Sequence, residues 1–437
     1  MNNKITCYNP NTGHRWVSNL DGPENNVLNL SQCQIDQLPS INQVVDFCHT
    51  IENTFVDSGG WSGINQDMPP MGLFRQLGLS NPWSAYDNNG TNEDFIVSRL
   101  GSGRFALKPN LRHRPFLYRG QNTFYPHIVS GFYRSSKEDK LIANLKVADF
   151  ILLLKSHPLF RMFDAGINLS GYNKTIFLEM NYYGLAQHYG FNTGLLDFSS
   201  DIEVSAFFGA TKWLAPDKYC RFDEGGTPYG VIYRYPVHPS STFVVEGFSS
   251  IGLQVFPRSG LQKGFLQDSG KMNINGNGSV VAIPFRHDAV ENQKIVDRWQ
   301  GGQLLFAPDE LSPIADIILT SKVISLSAFA YNLYVNPQDN EAENREICTR
   351  QGYAIEPHLR YVFTEELLEM YFDKIRNGWW EDFCNRIYWG DSKKALSLKQ
   401  QMIELPRNMY YRQYFDKGEY RRLYYHQIDE EIRASRL

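Results

Sequence analysis

The chain has no C-x-x-C pair, no strong charge of either sign and no uninterrupted apolar run long enough to cross a bilayer. Its six cysteines, Cys7, Cys33, Cys48, Cys220, Cys348 and Cys384, are scattered over 437 residues. That spacing argues against a zinc site and against a disulfide scaffold, and fits reduced thiols. A net charge of −4 lacks the global basicity of a nucleic-acid coat, so any affinity for polyanions must come from a local patch. The greasiest stretches lie at 150–154 and 314–335. The second is interrupted by Asp316 and Lys322, and neither supplies the ~20 consecutive apolar residues of a membrane span. Residues 1–16 are polar and lack the apolar centre of a secretory signal. No internal repeat or low-complexity tract is present. These absences point to a soluble, cytoplasmic protein with no membrane partner and no metal.

Aromatic residues make up 14% of the chain, mostly Tyr and Phe, enough for a sizeable core. Apolar periodicity predicts helices over 41–55, 136–156, 181–189 and 202–213, and again over 364–376 and 379–388. Strands are expected at 95–100 and 104–108 (a hairpin through Gly101-Ser102-Gly103), at 116–119, 195–198, 230–235, 280–284, 303–307 and 317–325. Residues 57–91, rich in Gly, Pro and Asn, form a long irregular connection. The pattern implies an α+β protein in three parts: an N-terminal helical and loop extension over 1–93, a domain with a central mixed sheet over 94–335, and a helical C-terminal region over 336–437.

Three segments are unusual together. Tyr118-Arg119-Gly120-Gln121 ends a strand. Ala186-Gln187-His188-Tyr189-Gly190 is followed by Thr193 and by Leu195-Leu196-Asp197-Phe198-Ser199. Arg298-Trp299-Gln300-Gly301-Gly302-Gln303 comes last, before Leu304-Leu305-Phe306. In this order they resemble the FRG family, named for its (F/Y)-R-G motif, over roughly residues 110–310. Gly194 stands where that family usually carries arginine, and Gln300 and Gln303 both compete for its late glutamine.

An arginine ending a strand, a serine-rich strand-to-helix turn and a polar residue before a late strand are also similar to the Arg-Ser-Glu pattern of mono-ADP-ribosyltransferases. That resemblance implies a divergent ADP-ribosyltransferase-like core with NAD as co-substrate. By position, Arg119 would hold an NAD phosphate or ribose, with Gly120, Gln121 and Phe208 beside it. Ser199 and Ser200 would support the nicotinamide pocket, Asp197 would be a polar partner, and Gln303 would stand in the glutamate position. Nicotinamide is a good leaving group, so positioning and electrostatics carry most of such a reaction. A glutamine can bind a ribose hydroxyl but cannot take a proton. A base for the acceptor would then come from His188, Asp197 or Glu291. The resemblance further implies a toxin of a toxin–antitoxin or phage-defence system, held by an antitoxin or regulatory protein, with a macromolecular acceptor and RNA slightly preferred over protein.

Each residue also has a plainer reading. Arg119 fits a structural ion pair, His188 a core histidine, and Asp197 a brace for its turn, since a buried carboxylate needs a partner. Ser199 and Ser200 fit a cap on the following helix. The tyrosine- and arginine-rich tail at 407–427, and Arg112, His113 and Arg114, suit single-stranded nucleic acid or ordinary packing. A non-catalytic binding module and an NAD glycohydrolase therefore stand beside the transferase.

Overall fold

The computed structural model describes residues 5–8, 30–57, 94–99, 104–110, 114–125, 128–168, 175–215, 218–222, 228–236, 248–251, 253–268, 280–357, 361, 363–389 and 393–405. The tail at 407–427, Arg112 and His113 lie outside them. Among the described residues no helix is long and apolar enough to cross a membrane.

The fold is α+β. Its largest sheet has six strands in the order Phe248–Ser250, Gly264–Asp268, Leu195–Ser199, Phe116–Gln121, Tyr229–Pro236, Val281–Arg286. A mixed sheet was expected, but every neighbouring pair in it is antiparallel. Phe116–Gln121, the motif strand, pairs along all six residues with Tyr229–Pro236. With Leu195–Ser199, the acidic strand, it pairs at one register only, Tyr118 opposite Ser199. Beyond that point the two strands part, and the gap between them is where the candidate site lies.

The helix Ile202–Ala210 lies on the motif strand, and Gly120 allows it to. A Cβ at Gly120 would fall 1.8 Å from the Ser205 carbonyl oxygen and 2.8 Å from the Gly209 nitrogen. The R-G motif is thus partly a packing requirement: helix backbone meets strand backbone there. The helix Ile41–Asp57 completes the layer, its Ile41, Val44, Val45 and Cys48 sharing a core with Tyr118, Phe207, Ile232 and Phe285.

Several expected boundaries shift for visible reasons. The helix expected over 202–213 ends at Ala210, where the Thr211 hydroxyl donates to the Phe207 carbonyl (2.8 Å) and the chain turns into the ribbon Thr211–Ala215. The strand expected at 303–307 is absent. Gln300, Gly301 and Gly302 all take positive φ (50°, 68° and 103°), making a tight turn that no strand can enter. The first four residues of the strand expected at 317–325 belong to the helix Ser312–Thr320, begun by Asp309 Oδ1, which accepts from the Leu311 and Ser312 amides. Only Val323–Ser325 is extended. A short apolar run fits a buried strand or a buried helix equally, and periodicity alone does not choose.

The N- and C-terminal segments share structure with the middle. Glu52, in the helix Ile41–Asp57, accepts from Tyr118 and Arg114. Ile387–Tyr388 pairs with Phe95–Arg99, and Ala354–Glu356 with Val323–Ser325, both in parallel. Ile347 and Cys348 pack with Leu145, Leu152 and Phe329. Hydrophobic contacts therefore cross both residue 93 and residue 335.

Candidate active site

Arg119 leaves the motif strand towards the parted acidic strand and takes over part of the missing ladder. Its Nη1 donates to the Asp197 carbonyl at 2.8 Å, its one hydrogen bond among the described residues. Its Nε is buried without a partner. Burial pulls the guanidinium pKa below its ordinary value, a shift that nearby Asp197 and Tyr233 oppose. This is a half-buried cation, not the surface arginine that a strand end suggests.

Asp197 is held from the other side. Gln187 donates to its Oδ2 at 2.8 Å, and the Thr193 hydroxyl in turn donates to the Gln187 side-chain Oε1. Oδ1 of Asp197 and Oε1 of Gln121 are buried with no partner. The Ala186-Gln187-His188-Tyr189-Gly190 segment thus has a physical reading. It begins on a helix, Tyr182–His188, that Asn181 caps by accepting from the Gly184 amide (2.8 Å). It ends at Gly190 (φ 84°), whose turn returns Thr193 to Gln187.

Two cavities meet over this pair. One, of about 270 Å³, is lined by Gly120, Ser199, Phe208 and Gln262 among others. The other, of about 510 Å³, is lined by Arg134, Gln187, Asn192 and Thr193 among others. Arg119, Gln121, Tyr125, Asp197, Trp213 and Tyr219 line both. Among the described residues Asp197 is the only carboxylate lining either. The Gly194 amide donates to the Tyr183 hydroxyl, and a Cβ at Gly194 would meet the Tyr133 ring at 3.0 Å. A larger residue there would have to move that ring.

Arg119, Gly120, Gln121, Asp197, Ser199 and Phe208 therefore line one space, although 89 positions of sequence separate its first and last members. Three other candidates do not line the two cavities. His188 is buried, with Nδ1 2.8 Å from Gln262 Oε1, and burial lowers its pKa, so it stays a neutral core residue behind the site. Ser200 is buried, its amide donating to the Lys263 carbonyl. Gln303 is exposed in the turn after Gly302, and the missing strand is the reason. Glu291 also stands apart, bonded to Asn42 and Lys294. The serines do not cap the helix. Asp201 does, accepting from the Glu203 amide and pairing with Lys263 at 3.0 Å. Ser199 locks the turn before it, donating to the Gln262 carbonyl and accepting from the Asp201 amide.

Sequence reasoning did not select Gln262, Tyr125, Trp213 or Tyr219. Gln262 Nε2 donates to the Leu305 carbonyl, tying the cavity wall to the turn that carries Gln303. The nearest signal was the spacing of Trp213 and Tyr219 around Pro216 and Asp217, which marks a hairpin once the preceding helix is stopped at Ala210.

Residues 114–218 match the FRG domain. The match takes in the motif strand, the Gln187 helix, the acidic strand, the helix on Gly120 and the ribbon up to Lys218. The chain contains an FRG domain, and the two cavities lie largely within it. No curated protein matches the chain, and no solved structure does.

Proposed function

We propose that the chain is an NAD-dependent ADP-ribosyltransferase in which Arg119 binds the co-substrate and Asp197 serves the acceptor. One observation carries this reading. A half-buried guanidinium and a carboxylate, each with a buried atom lacking a partner, face the same pair of cavities from two parted strands. Unsatisfied buried polar groups are costly, and a pair of them facing a cavity supports a binding or catalytic role.

The residues present suit NAD. Arg119 would pair with a phosphate or ribose oxygen, Gln121 would accept from a hydroxyl, and Phe208 and Tyr219, packed edge to face at 5.8 Å, would offer one aromatic wall. NAD supplies a glycosidic bond from ribose C1′ to the nicotinamide nitrogen. That bond breaks with its electron pair leaving on nicotinamide, and a bond from the acceptor to C1′ forms. The acceptor's proton passes to Asp197, whose carboxylate Gln187 and Thr193 hold in place. Asp197 fills the part that Gln303, exposed and an amide, does not. Burial around Arg119 strengthens its pull on the NAD phosphate.

With RNA or another macromolecule as acceptor the activity is that of a toxin, restrained in its cell by an antitoxin or regulator. Water as acceptor would make it an NAD glycohydrolase. A non-catalytic module is the reading favoured by the Arg119 bond to a strand carbonyl, which on its own is a structural brace. Incubation of the purified chain with NAD labelled in its adenylate separates the three. Label on a macromolecule with stoichiometric nicotinamide supports transfer, free ADP-ribose indicates the hydrolase, and unchanged NAD with no binding indicates the module.

A further inference from the structure

We infer that the co-substrate lies across the two cavities in one direction, its nicotinamide in the smaller, held by Gln262, and its adenosine diphosphate half in the larger, held by Arg134. The inference rests on the reading of that co-substrate as NAD, and adds to it an orientation and two residues that hold it.

The cavities differ in charge. Among the described residues, every side chain that lines only the smaller one is uncharged, and Arg134 is the one charged side chain that lines only the larger. Arg119 and Asp197 line both. A space of about 270 Å³ falls short of the ~300–1,000 Å³ of pockets that enclose drug-sized ligands. It takes one ring system, and a dinucleotide must run on into the second cavity. The reaction decides which end enters. The base whose ribose lies beside Asp197, where the cavities meet, is the one released, and that base is nicotinamide. Its ring is cationic in NAD, so the opposite orientation would bring it towards Arg134.

Gln262 has one hydrogen bond left to give. It is buried and lines only the smaller cavity. The Leu305 carbonyl can only accept, so the amide nitrogen of Gln262 faces it at 3.2 Å. The amide oxygen then faces His188 Nδ1 at 2.8 Å, and that nitrogen carries the proton. These two bonds fix the plane of the amide, and Ser199 fixes the backbone beneath it by donating to the Gln262 carbonyl at 2.7 Å. The next residue, Lys263, holds a φ of 47°, strain of the kind that a functional position retains. The second amide N–H has no partner among the described residues, and the cavity is where this buried side chain is open. An immobilised neutral donor at an uncharged cavity suits the oxygen of a carboxamide.

Arg134 ends the short helix Gly131–Arg134, is exposed, and makes no hydrogen bond or ion pair among the described residues. With Arg119 shared between the cavities, two guanidinium groups meet the two phosphates in order: Arg119 the one next to the nicotinamide ribose, Arg134 the one next to adenosine.

Calorimetric titration of the full chain with two fragments of NAD tests this. Nicotinamide mononucleotide carries one end with its phosphate, and ADP carries the other. Arg134→Ala should weaken ADP about tenfold or more and leave nicotinamide mononucleotide within about twofold. Gln262→Met should weaken nicotinamide mononucleotide about three- to tenfold and leave ADP within about twofold. On the unaltered chain, thionicotinamide adenine dinucleotide, whose sulfur accepts more poorly than oxygen, should bind about threefold or more less tightly than NAD. Should Gln262→Met lose both fragments through loss of the fold, that last comparison decides. The reverse sorting of fragments, or equal losses of both in Arg134→Ala, would overturn the orientation. Equal affinity for NAD and its thio analogue would remove the Gln262 contact. Fragments sorted as described by a chain that cleaves no NAD would remove the transferase and leave the orientation standing, and a chain that binds neither fragment nor NAD would overturn both.

Discussion

Arg119 and Asp197 are joined by a 2.8 Å hydrogen bond from guanidinium to main-chain carbonyl, across strands that have stopped pairing. The bond restores one rung of a ladder that opens to make a cavity. It leaves the Asp197 carboxylate free to be held by Gln187. Arg119 is a brace across the opening, and in the proposed reading a ligand group as well, so its replacement would report on both at once. Neighbouring residues separate the two roles more cleanly.

Gly120→Ala should destabilise the domain by about 3 kcal/mol, because the added methyl meets helix backbone and the overlap has no flexible side chain to yield. Chemical denaturation checks this. A loss below about 0.5 kcal/mol would mean that the helix Ile202–Ala210 does not lie on the strand as described.

Gln187→Met keeps the length of the side chain and removes the donor to Asp197. Turnover should fall about tenfold or more while KM for NAD changes little, since Gln187 positions the base and does not bind the co-substrate. Equal losses in both parameters would show that Gln187 touches NAD directly.

Away from the site, Asp149 is buried against the start of the helix Leu326–Val335, where its carboxylate accepts from the Ser325 amide (3.2 Å) and hydroxyl (2.5 Å). Burial pushes its pKa up to about 6, against hydrogen bonds from Ser325 that lower it. The folded state therefore holds this proton more tightly than the unfolded chain, whose aspartates titrate near ~4. Between about pH 4 and 6 the native protein binds more protons, so the Asp149 contribution to stability is full at the acid end and is lost as pH rises. Asp149→Asn should remove a difference of roughly 2–3 kcal/mol between those pH values. Denaturation midpoints of the two proteins at pH 4 and pH 7 test it, and parallel curves would contradict the assignment.

Much of the site was readable in the sequence because its groups sit in short segments with local reasons for their pattern. Gly120 must be small under a helix, and Gly190 must turn left-handed so that Thr193 can reach Gln187. What could not be read depends on long-range placement. Gln262 enters through a bond to His188, and nothing around position 262 marks it. Gln303 looked like a strand residue because Leu304, Leu305 and Phe306 follow it, yet the positive φ angles from Gln300 to Gly302 make that run a turn. Trp213 was hidden inside an apparent helix, since the Thr211 hydroxyl that ends the helix resembles any other β-branched position. The α+β class followed from the mixture of periods. The antiparallel order of the sheet did not, because pairing partners lie up to 120 residues apart, as Phe116 and Pro236 do.

The most direct test of the account is nicotinamide release from NAD by the wild-type chain and by Asp197→Asn, with NAD affinity measured on both by calorimetry. The substitution keeps the shape of the side chain and its bond from Gln187 while removing the proton acceptor. The account predicts that release falls by about 100-fold or more, with NAD affinity changed only a few-fold. Undiminished release by Asp197→Asn, or a wild-type protein that neither binds nor cleaves NAD, would contradict it.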